Sequence, residues 1–131
     1  MAYVISSISM KGGVGKTTSV LCLGTGLADR GKKVLMLDLD AQGSLSIAMG
    51  CDYPDQIPVT MADIFQKMKD TRRNGNIAEG ILSASEYLDY LPANRKMALT
   101  EQELALTEGG EHFLKRFLSL LSACGKAYDY I

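Results

Sequence analysis

The most constraining feature of this 131-residue chain is the sequence MKGGVGKTT at residues 10–18. An apolar run at residues 3–8 precedes it, and a segment with helical periodicity at residues 20–28 follows. The glycines allow the main chain to curl so that successive N–H groups point at one anion, and the helix adds its unpaired amides and the positive end of its dipole. Lys16 supplies a positive charge for the outer phosphates of a nucleotide, and the Thr17 hydroxyl is placed to bind Mg²⁺. The sequence therefore predicts a phosphate-binding loop between a strand and a helix.

The loop departs from the usual phosphate-loop pattern at its first position. That pattern has glycine five residues before Gly15, where this chain has Met10. A second lysine, Lys11, stands at the front of the loop. Lys11 is either a solvated surface lysine or a second cation that meets phosphate charge, in its own site or across a dimer. We favour the second interpretation.

The rest of the chain alternates strand-like and helix-like segments, which predicts an α/β fold with one core. Gly31 and Gly125 are expected to end the first and last helices, and Thr60 is expected to cap a helix with an acidic first turn. The stretch at residues 71–76 is polar and rich in turn formers, which predicts a mobile surface loop. Strands are predicted at residues 3–9, 33–39 and 88–91, and helices at residues 16–30, 44–49, 60–69, 98–106 and 111–124.

The last predicted helix has an apolar stripe, which we interpret as a face turned toward the core. Its members are Phe113, Phe117, Leu120, Leu121 and Cys124. The three cysteines of the chain, Cys22, Cys51 and Cys124, are scattered and lack metal-ligand spacing, so we expect buried reduced thiols.

Composition excludes several classes of protein. The chain is 47% hydrophobic and 22% charged, which suits one globular core and is too short for two typical domains. A net charge of −1 argues against a globally basic nucleic-acid binder. Arg72 and Arg73, near Lys67 and Lys69, are interpreted as a solvated helix end or loop, with a DNA contact as the alternative. His112 is the sole histidine, so an imidazole-based catalytic triad has little support.

No segment predicts export or insertion into a membrane. The N-terminal apolar run is short and leads at once into the glycine-rich loop, unlike a signal peptide. No apolar run approaches the length of about 20 residues that a membrane span requires. We therefore expect a cytoplasmic protein with no membrane partner.

Two segments resemble one family of ATPases. Residues 11–18 resemble the deviant Walker A motif of the ParA/MinD group, whose extra signature lysine matches Lys11. The sequence VLMLDLDAQGSLS at residues 34–46 resembles that group's second motif, and its D-x-D-x-Q-G form is typical of the ParA/Soj branch. MinD-like proteins usually diverge after the second aspartate, and relatives of the nitrogenase iron protein need cluster cysteines that are not evident here.

The resemblance implies a P-loop NTPase fold of the SIMIBI type, with a mostly parallel sheet flanked by helices, and ATP and Mg²⁺ as cofactors. In that family the signature lysine, here Lys11, reaches the partner's phosphates across a nucleotide-sandwich dimer. Lys16 would hold the β- and γ-phosphates, Thr17 would bind Mg²⁺ and Thr18 would touch the α-phosphate. The implied nucleotide-binding residues are Lys11, Gly12, Gly13, Val14, Gly15, Lys16, Thr17 and Thr18.

Two aspartates complete the site that the resemblance implies. Asp40 matches the aspartate that positions the attacking water, and Asp38 would support the metal and the switch region. With Lys11 and Lys16, Asp40 makes up the implied catalytic set. Phosphoryl transfer depends mainly on positioning and on neutralising developing charge, which such groups can provide. The alternatives are an aspartate that caps its own loop, for Asp40, and a purely structural carboxylate, for Asp38.

The implied function is an ATP-driven molecular switch for chromosome or plasmid partitioning. ATP would close a homodimer, the dimer would bind DNA without sequence specificity, and hydrolysis with a ParB-like partner would release it. The alternative is a MinD-like positioning or regulatory ATPase that recruits partners as a scaffold. A nucleotide-binding fragment with no independent function is the third possibility.

The final residues 128–131 resemble the start of the family's Walker B-type strand, which lies beside the phosphate-loop strand. In the family, the adenine pocket and usually the DNA-contacting arginines come later in the chain. We therefore expect residues 1–131 to be the N-terminal part of a single P-loop ATPase domain, cut before that strand is complete. We expect ATP hydrolysis by this chain alone to be weak or absent.

Overall fold

The computed structural model of the chain describes residues 1–70 and 76–131. These residues form five α-helices, three strands and two short 3₁₀ helices. In chain order they are α1 (Lys16–Ala28), β1 (Val34–Leu37), α2 (Ser44–Ala48), a 3₁₀ helix (Pro54–Gln56), α3 (Met61–Lys69), β2 (Leu82–Ser85), β3 (Leu88–Leu91), α4 (Lys96–Leu106), a second 3₁₀ helix (Gly110–His112) and α5 (Phe113–Ala123).

The three strands form one sheet in the order β1-β3-β2. β1 and β3 run parallel, with Val34 opposite Leu88 and Leu37 opposite Leu91. β2 runs antiparallel to β3 on its outer side, in a ladder that is irregular after Ser83. The sequence pattern does not predict β2, because most of its residues are small, polar and exposed.

Tyr130 extends the sheet on the other side of β1. It forms parallel bridges with both Val34 and Tyr3. The Tyr3 N–H donates to the Asp129 carbonyl at 2.9 Å, and the Ile5 N–H donates to the Ile131 carbonyl at 2.8 Å. The final residues therefore lie between β1 and the segment that leads to the glycine-rich loop. The predicted α/β fold with a mostly parallel sheet is confirmed.

The prediction of a regular strand at residues 3–9 is wrong. The structure gives this segment one isolated bridge, at Tyr3. Its only neighbour in the described sheet is the short stretch at residues 129–131, so the hydrogen bonds stop at Ile5. Farther along, Ile8 is 88% exposed. A strand requires a continuous ladder, and here the ladder has too few partner residues.

The core has two parts, one on each face of the sheet. Side chains alternate along β1, so that Leu35 packs with α3, α4 and α5 while Val34 and Met36 pack with α1 and α2. This burial on both faces is what the unbroken apolar sequence of the strand predicts. The buried members of the larger cluster are Leu35, Met61, Ala62, Ile64, Phe65, Met68, Ile77, Leu91, Met97, Phe113, Phe117 and Leu121.

α3 begins with the cap that the sequence predicts. Thr60 and Asp63 form a capping box, in which the Asp63 carboxylate accepts the Thr60 N–H at 2.9 Å. Burial acts to raise the pKa of Asp63, but hydrogen bonds from Thr60 and Lys96 outweigh it and hold that pKa below its ordinary value. The box satisfies amides that the helix cannot pair internally.

The other helices match the predicted segments with shifted ends. α1 ends at Ala28, two residues before the predicted position, and Gly31 follows with φ of 74°. α4 begins two residues earlier than predicted, and a 3₁₀ turn precedes α5. The core-facing stripe of α5 is confirmed for Phe113, Phe117 and Leu121, which are buried. Most of the predicted polar loop at 71–76 lies outside the described residues.

The prediction that the cysteines are buried is wrong, although all three are free thiols. Cys22 and Cys124 are exposed and Cys51 is half-buried. Cys22 lies on the side of α1 opposite Gly24 and Ala28, the residues that this helix buries. Cys124 follows the last residue of α5, beyond the core.

Candidate functional site

The glycine-rich loop leads directly into α1 and contains two positions that require glycine. Gly13 and Gly15 have φ values of 71° and 83°, a region that is costly for residues with a Cβ. A Cβ built at Gly12, Gly13 or Gly15 would meet no atom within 4 Å, so open space lies over the loop. α1 begins at Lys16, with Gly15 at its N-cap and no side chain capping its first amides. The arrangement leaves main-chain N–H groups and the positive helix end accessible to an anion.

Lys16 folds back across this loop. Its Nζ donates a 2.8 Å hydrogen bond to the main-chain carbonyl of Ser9, and the side chain is half-buried. The Ser9 hydroxyl oxygen also accepts the N–H of Lys11 at 3.1 Å. Ser9 thus ties the start of the loop to its end. Ser9 is not recognisable as a site residue from the sequence, where its only signal is its place between the apolar run and the loop.

A cavity of about 580 Å³ lies beside the loop. The structure brings Lys16, Thr17, Asp38 and Asp40 together on its wall, along with apolar side chains of α1, β1 and α5. Lys11, Gly12, Gly13, Val14, Gly15 and Thr18 do not line it, and all six are exposed. Lys16, Thr17, Asp38 and Asp40 of the predicted site therefore line one space.

Asp38 is buried, with 4% of its surface exposed, and its carboxylate is fully engaged. Oδ2 accepts the Ser46 N–H at 2.9 Å and the Ser46 hydroxyl at 2.6 Å. Oδ1 accepts the N–H of Asp40 at 3.1 Å. Such bonds offset the cost of burying a charged group. Ser46 is a site residue that sequence reasoning missed, and a metal contact by Asp38 stays a prediction.

Asp40 follows β1 and is exposed. Its Oδ1 accepts the N–H of Gln42 at 3.0 Å. The side chain therefore caps its own loop, which is the alternative role given for Asp40 from the sequence. The same side chain lines the cavity that Lys16 and Thr17 share. Orientation of a water molecule by Asp40 stays a prediction.

Residues 1–70 and 76–131 contain neither a cluster of metal-binding side chains nor a membrane-spanning helix. No group of three or more His, Cys, Asp or Glu side chains in that part of the chain could hold a metal ion. The helices there are too short or too polar to cross a bilayer. Binding of Mg²⁺ by Thr17 stays a prediction.

Lys67 and Lys69, the described part of the basic cluster, are paired with carboxylates. Lys67 contacts Glu79, and Lys69 contacts Glu103 at 2.7 Å. These pairs support the interpretation of a solvated helix end. Arg72 and Arg73 lie outside the described residues.

Two tyrosines on the sheet have raised pKa values. Burial and a 2.7 Å hydrogen bond to Asp89 raise the pKa of Tyr128 above its ordinary range. Burial and a 3.2 Å contact with Cys51 raise the pKa of Tyr90 to about 12. Neither tyrosine lies in the glycine-rich loop, and both stay neutral in the physiological range.

Comparisons with known proteins identify the family of this chain. The AAA domain family (AAA_31) matches residues 2–131 of this chain. The chain belongs to this family. The sporulation initiation inhibitor protein Soj of Bacillus subtilis is 37% identical over 137 residues, which cover 100% of this chain and 48% of Soj. The chromosome partitioning protein ParA of Caulobacter vibrioides is 31% identical, over 98% of this chain and 45% of ParA.

A solved structure shares both the fold and detectable sequence identity. The cobyrinic acid a,c-diamide synthase of Mycobacterium smegmatis, crystallised with an ATP analogue and magnesium, superposes with a TM-score of 0.82 at 32% identity. The match covers 99% of this chain and 49% of that one. The chain thus spans about half the length of the relatives it matches. The resemblance to the N-terminal portion of ParA/Soj-type ATPases, and the P-loop fold it implies, are confirmed.

Proposed function

We propose that this chain is the nucleotide-binding part of a ParA-type ATP-driven switch for chromosome or plasmid partitioning. The observation that supports it best is the loop of Gly13 and Gly15, open to solvent at the start of α1, with Lys16 and Thr17 facing the same cavity as Asp40. An open, left-handed glycine turn before a helix suits a phosphate chain. A core-packing role would instead close that space.

ATP binding would redirect the Lys16 side chain. In the structure, Lys16 Nζ donates to the neutral Ser9 carbonyl. A phosphate oxygen is a stronger acceptor for an ammonium group, because both partners are charged. Lys16 would therefore leave Ser9 for the β- and γ-phosphates, while the loop amides and Thr18 hold the rest of the chain of phosphates.

Hydrolysis would depend on the groups around the outer phosphate. Thr17 would hold Mg²⁺, which neutralises charge on the phosphate oxygens when bound. Asp40 would orient the attacking water, with its own backbone held by Asp38. Lys11, exposed at the front of the loop, would reach the phosphates of a second protomer and so couple ATP to dimerisation.

This chain spans about half the length of its relatives, so partners are proposed for a full-length ParA-type protein. There we propose an ATP-dependent homodimer that binds DNA without sequence specificity and is released with a ParB-like partner. We propose that turnover by residues 1–131 alone is weak. A turnover rate equal to that of a longer relative, abolished by Lys16→Ala, would contradict this point.

Nucleotide binding is tested with a fluorescent ATP analogue and Mg²⁺. Loss of one charge-assisted contact costs about 1.5–3 kcal/mol, so Lys16→Ala should weaken binding roughly 10- to 150-fold. Lys32→Ala removes an exposed lysine just after α1 and serves as the matched control, with an unchanged Kd. Equal affinity of wild type and Lys16→Ala, or no binding by wild type, would refute the proposed site.

DNA binding is tested on a full-length ParA-type protein that carries residues 1–131 as its N-terminal part. ATP-dependent binding to unrelated duplexes, weakened steeply by salt, supports the partitioning switch. Lys11→Ala should retain nucleotide affinity and lose ATP-dependent dimerisation, measured by sedimentation. Binding to lipid vesicles without DNA binding would favour the MinD-like alternative.

A further inference from the structure

Ser46, on α2, occupies a position between two loops. It is fully buried, and its hydroxyl donates to Asp38 Oδ2 at 2.6 Å. The same hydroxyl oxygen accepts the N–H of Ala93 at 2.9 Å. A hydroxyl can donate and accept at once, and here both capacities are used. Ser46 therefore links the segment after β1 to the segment after β3.

The two segments also touch at a second point. Gly43 has φ of 62°, and a Cβ built on it would lie 2.9 Å from the Ala93 carbonyl oxygen. The residue after Ala93, Asn94, is buried and restrains this segment. Its side-chain amide donates to the Pro54 carbonyl and accepts the Lys96 N–H. The segment after β3 is thus held in place and packs against the loop that carries Asp40.

The link continues from Ser46 to Asp40 through one carboxylate. Asp38 uses Oδ2 for Ser46 and Oδ1 for the Asp40 N–H. The two oxygens belong to one planar group, so a rotation that loosens one bond also loosens the other. The Ser46 hydroxyl resists that rotation because it is itself anchored on Ala93. Buried networks of this kind lose more than one bond when one member is removed.

We propose that Ser46 is a positioning residue for Asp40. It fixes the rotation of the Asp38 carboxylate, and that carboxylate holds the main chain of Asp40 at the cavity wall. Ser46 does not itself line the cavity. The inference rests on the proposed function, in which Asp40 orients the attacking water. It assigns Asp38 to the alignment of this loop.

A simpler role makes a different prediction. If Asp38 only caps α2, the Ser46 N–H bond is sufficient and the hydroxyl is dispensable. Ser46→Ala keeps that N–H and removes only the hydroxyl. Under the proposed role, Ser46→Ala weakens the hydrogen bond that holds the main-chain N–H of Asp40. Under simple capping, that bond is unchanged.

The test is amide hydrogen exchange by NMR on the whole chain without nucleotide. In Ser46→Ala, the Asp40 and Ala93 amides should exchange at least tenfold faster, while Leu121 and its neighbours in α5 keep their rates. Ser44→Ala changes an exposed serine of the same helix and should leave the Asp40 rate unchanged. Ser46→Thr retains the hydroxyl and should restore the slow exchange of Asp40.

Several results would overturn the proposal. These are an unchanged Asp40 rate in Ser46→Ala, an equal acceleration in Ser44→Ala, or faster exchange throughout α5, which indicates general loosening. If Ser46→Ala does not fold, the link is tested on the wild-type protein by the NMR signal of the Ser46 hydroxyl proton. A slowly exchanging Ser46 hydroxyl proton with a nuclear Overhauser effect to the Ala93 N–H supports the link, and its absence refutes it. Because no nucleotide is present, a failure of ATP binding refutes the proposed function separately.

Discussion

Replacement of Gly43 by alanine tests how tightly the loop after β1 is held. Gly43 has φ of 62°, and its added Cβ would lie 2.9 Å from the main-chain oxygen of Ala93. Even close C–H···O contacts have carbon–oxygen distances of about 3.3–3.6 Å, so the backbone must move. The substitution therefore combines backbone strain with a steric clash.

Gly31→Ala separates these two effects. Gly31 also has a positive φ, of 74°, but a Cβ there would meet no atom within 4 Å. The left-handed conformation destabilises alanine by about 1–2 kcal/mol. Alanine also reduces the conformational entropy of the unfolded chain, which stabilises the protein by about 0.4–1 kcal/mol. Gly31→Ala should therefore lower the free energy of unfolding by about 0–1.6 kcal/mol. Overpacking adds about 1–3 kcal/mol, which gives about 1–4.6 kcal/mol for Gly43→Ala.

The two free energies of unfolding are measured by urea titration monitored by circular dichroism. Their difference, about 1–3 kcal/mol, reports the contact with Ala93 because the strain common to both variants cancels. Equal destabilisation by Gly43→Ala and Gly31→Ala would show that the loop is not pressed against the segment after β3. That result would also weaken the case for Ser46 as a link.

Three other changes test the core, the α3 cap and a half-buried tyrosine. Phe117→Ala removes a fully buried ring and should lower the free energy of unfolding by about 3–5 kcal/mol in urea, and a loss below 1 kcal/mol would contradict the described core. Thr60→Ala should cost about 1 kcal/mol. Although burial raises it, the pKa of Asp63 is lowered overall by hydrogen bonds, chiefly from Thr60. The stabilisation by the Asp63 carboxylate is therefore present above pH 3.8 and is lost as the pH falls through the pKa of Asp63 in the folded state. Urea titrations across acidic pH should show this loss. Tyr128→Phe removes the bond to Asp89 and should cost about 0.5–1.5 kcal/mol. Burial and that bond raise the pKa of Tyr128 in the folded protein. The stabilisation by Tyr128 is therefore complete below pH 10 and is lost as the pH rises through the pKa of the folded state. Absorbance of the phenolate measures this ionisation.

Local sequence signals suffice for the elements that hold the candidate site. β1 is unbroken in its apolar sequence, and the structure buries it on both faces. Thr60 and Asp63 carry a capping signal within four residues, and α3 starts there. The glycine-rich loop is recognisable because its geometry depends on adjacent residues alone. Each of these signals is complete within a short stretch of chain.

Other features depend on contacts between distant parts of the chain. Ser46 gains its role from Ala93, which lies 47 positions away, so no local pattern predicts it. The exposure of Cys22 depends on which face of α1 meets the sheet, and the contact of Gly24 with Met36 decides that. β2 pairs only because β3 offers it an edge. Tertiary packing decides all three.

The pairing of residues 3–5 with residues 129–131 has a consequence for biosynthesis. Residues 3–5 are synthesised before residues 129–131, so they receive these hydrogen-bonding partners only after the intervening 123 residues have been added. The helices and strands between them can assemble earlier, because their contacts join segments closer in the chain. Within residues 1–131, the segment before the glycine-rich loop therefore gains its sheet partners later than the helices and strands between.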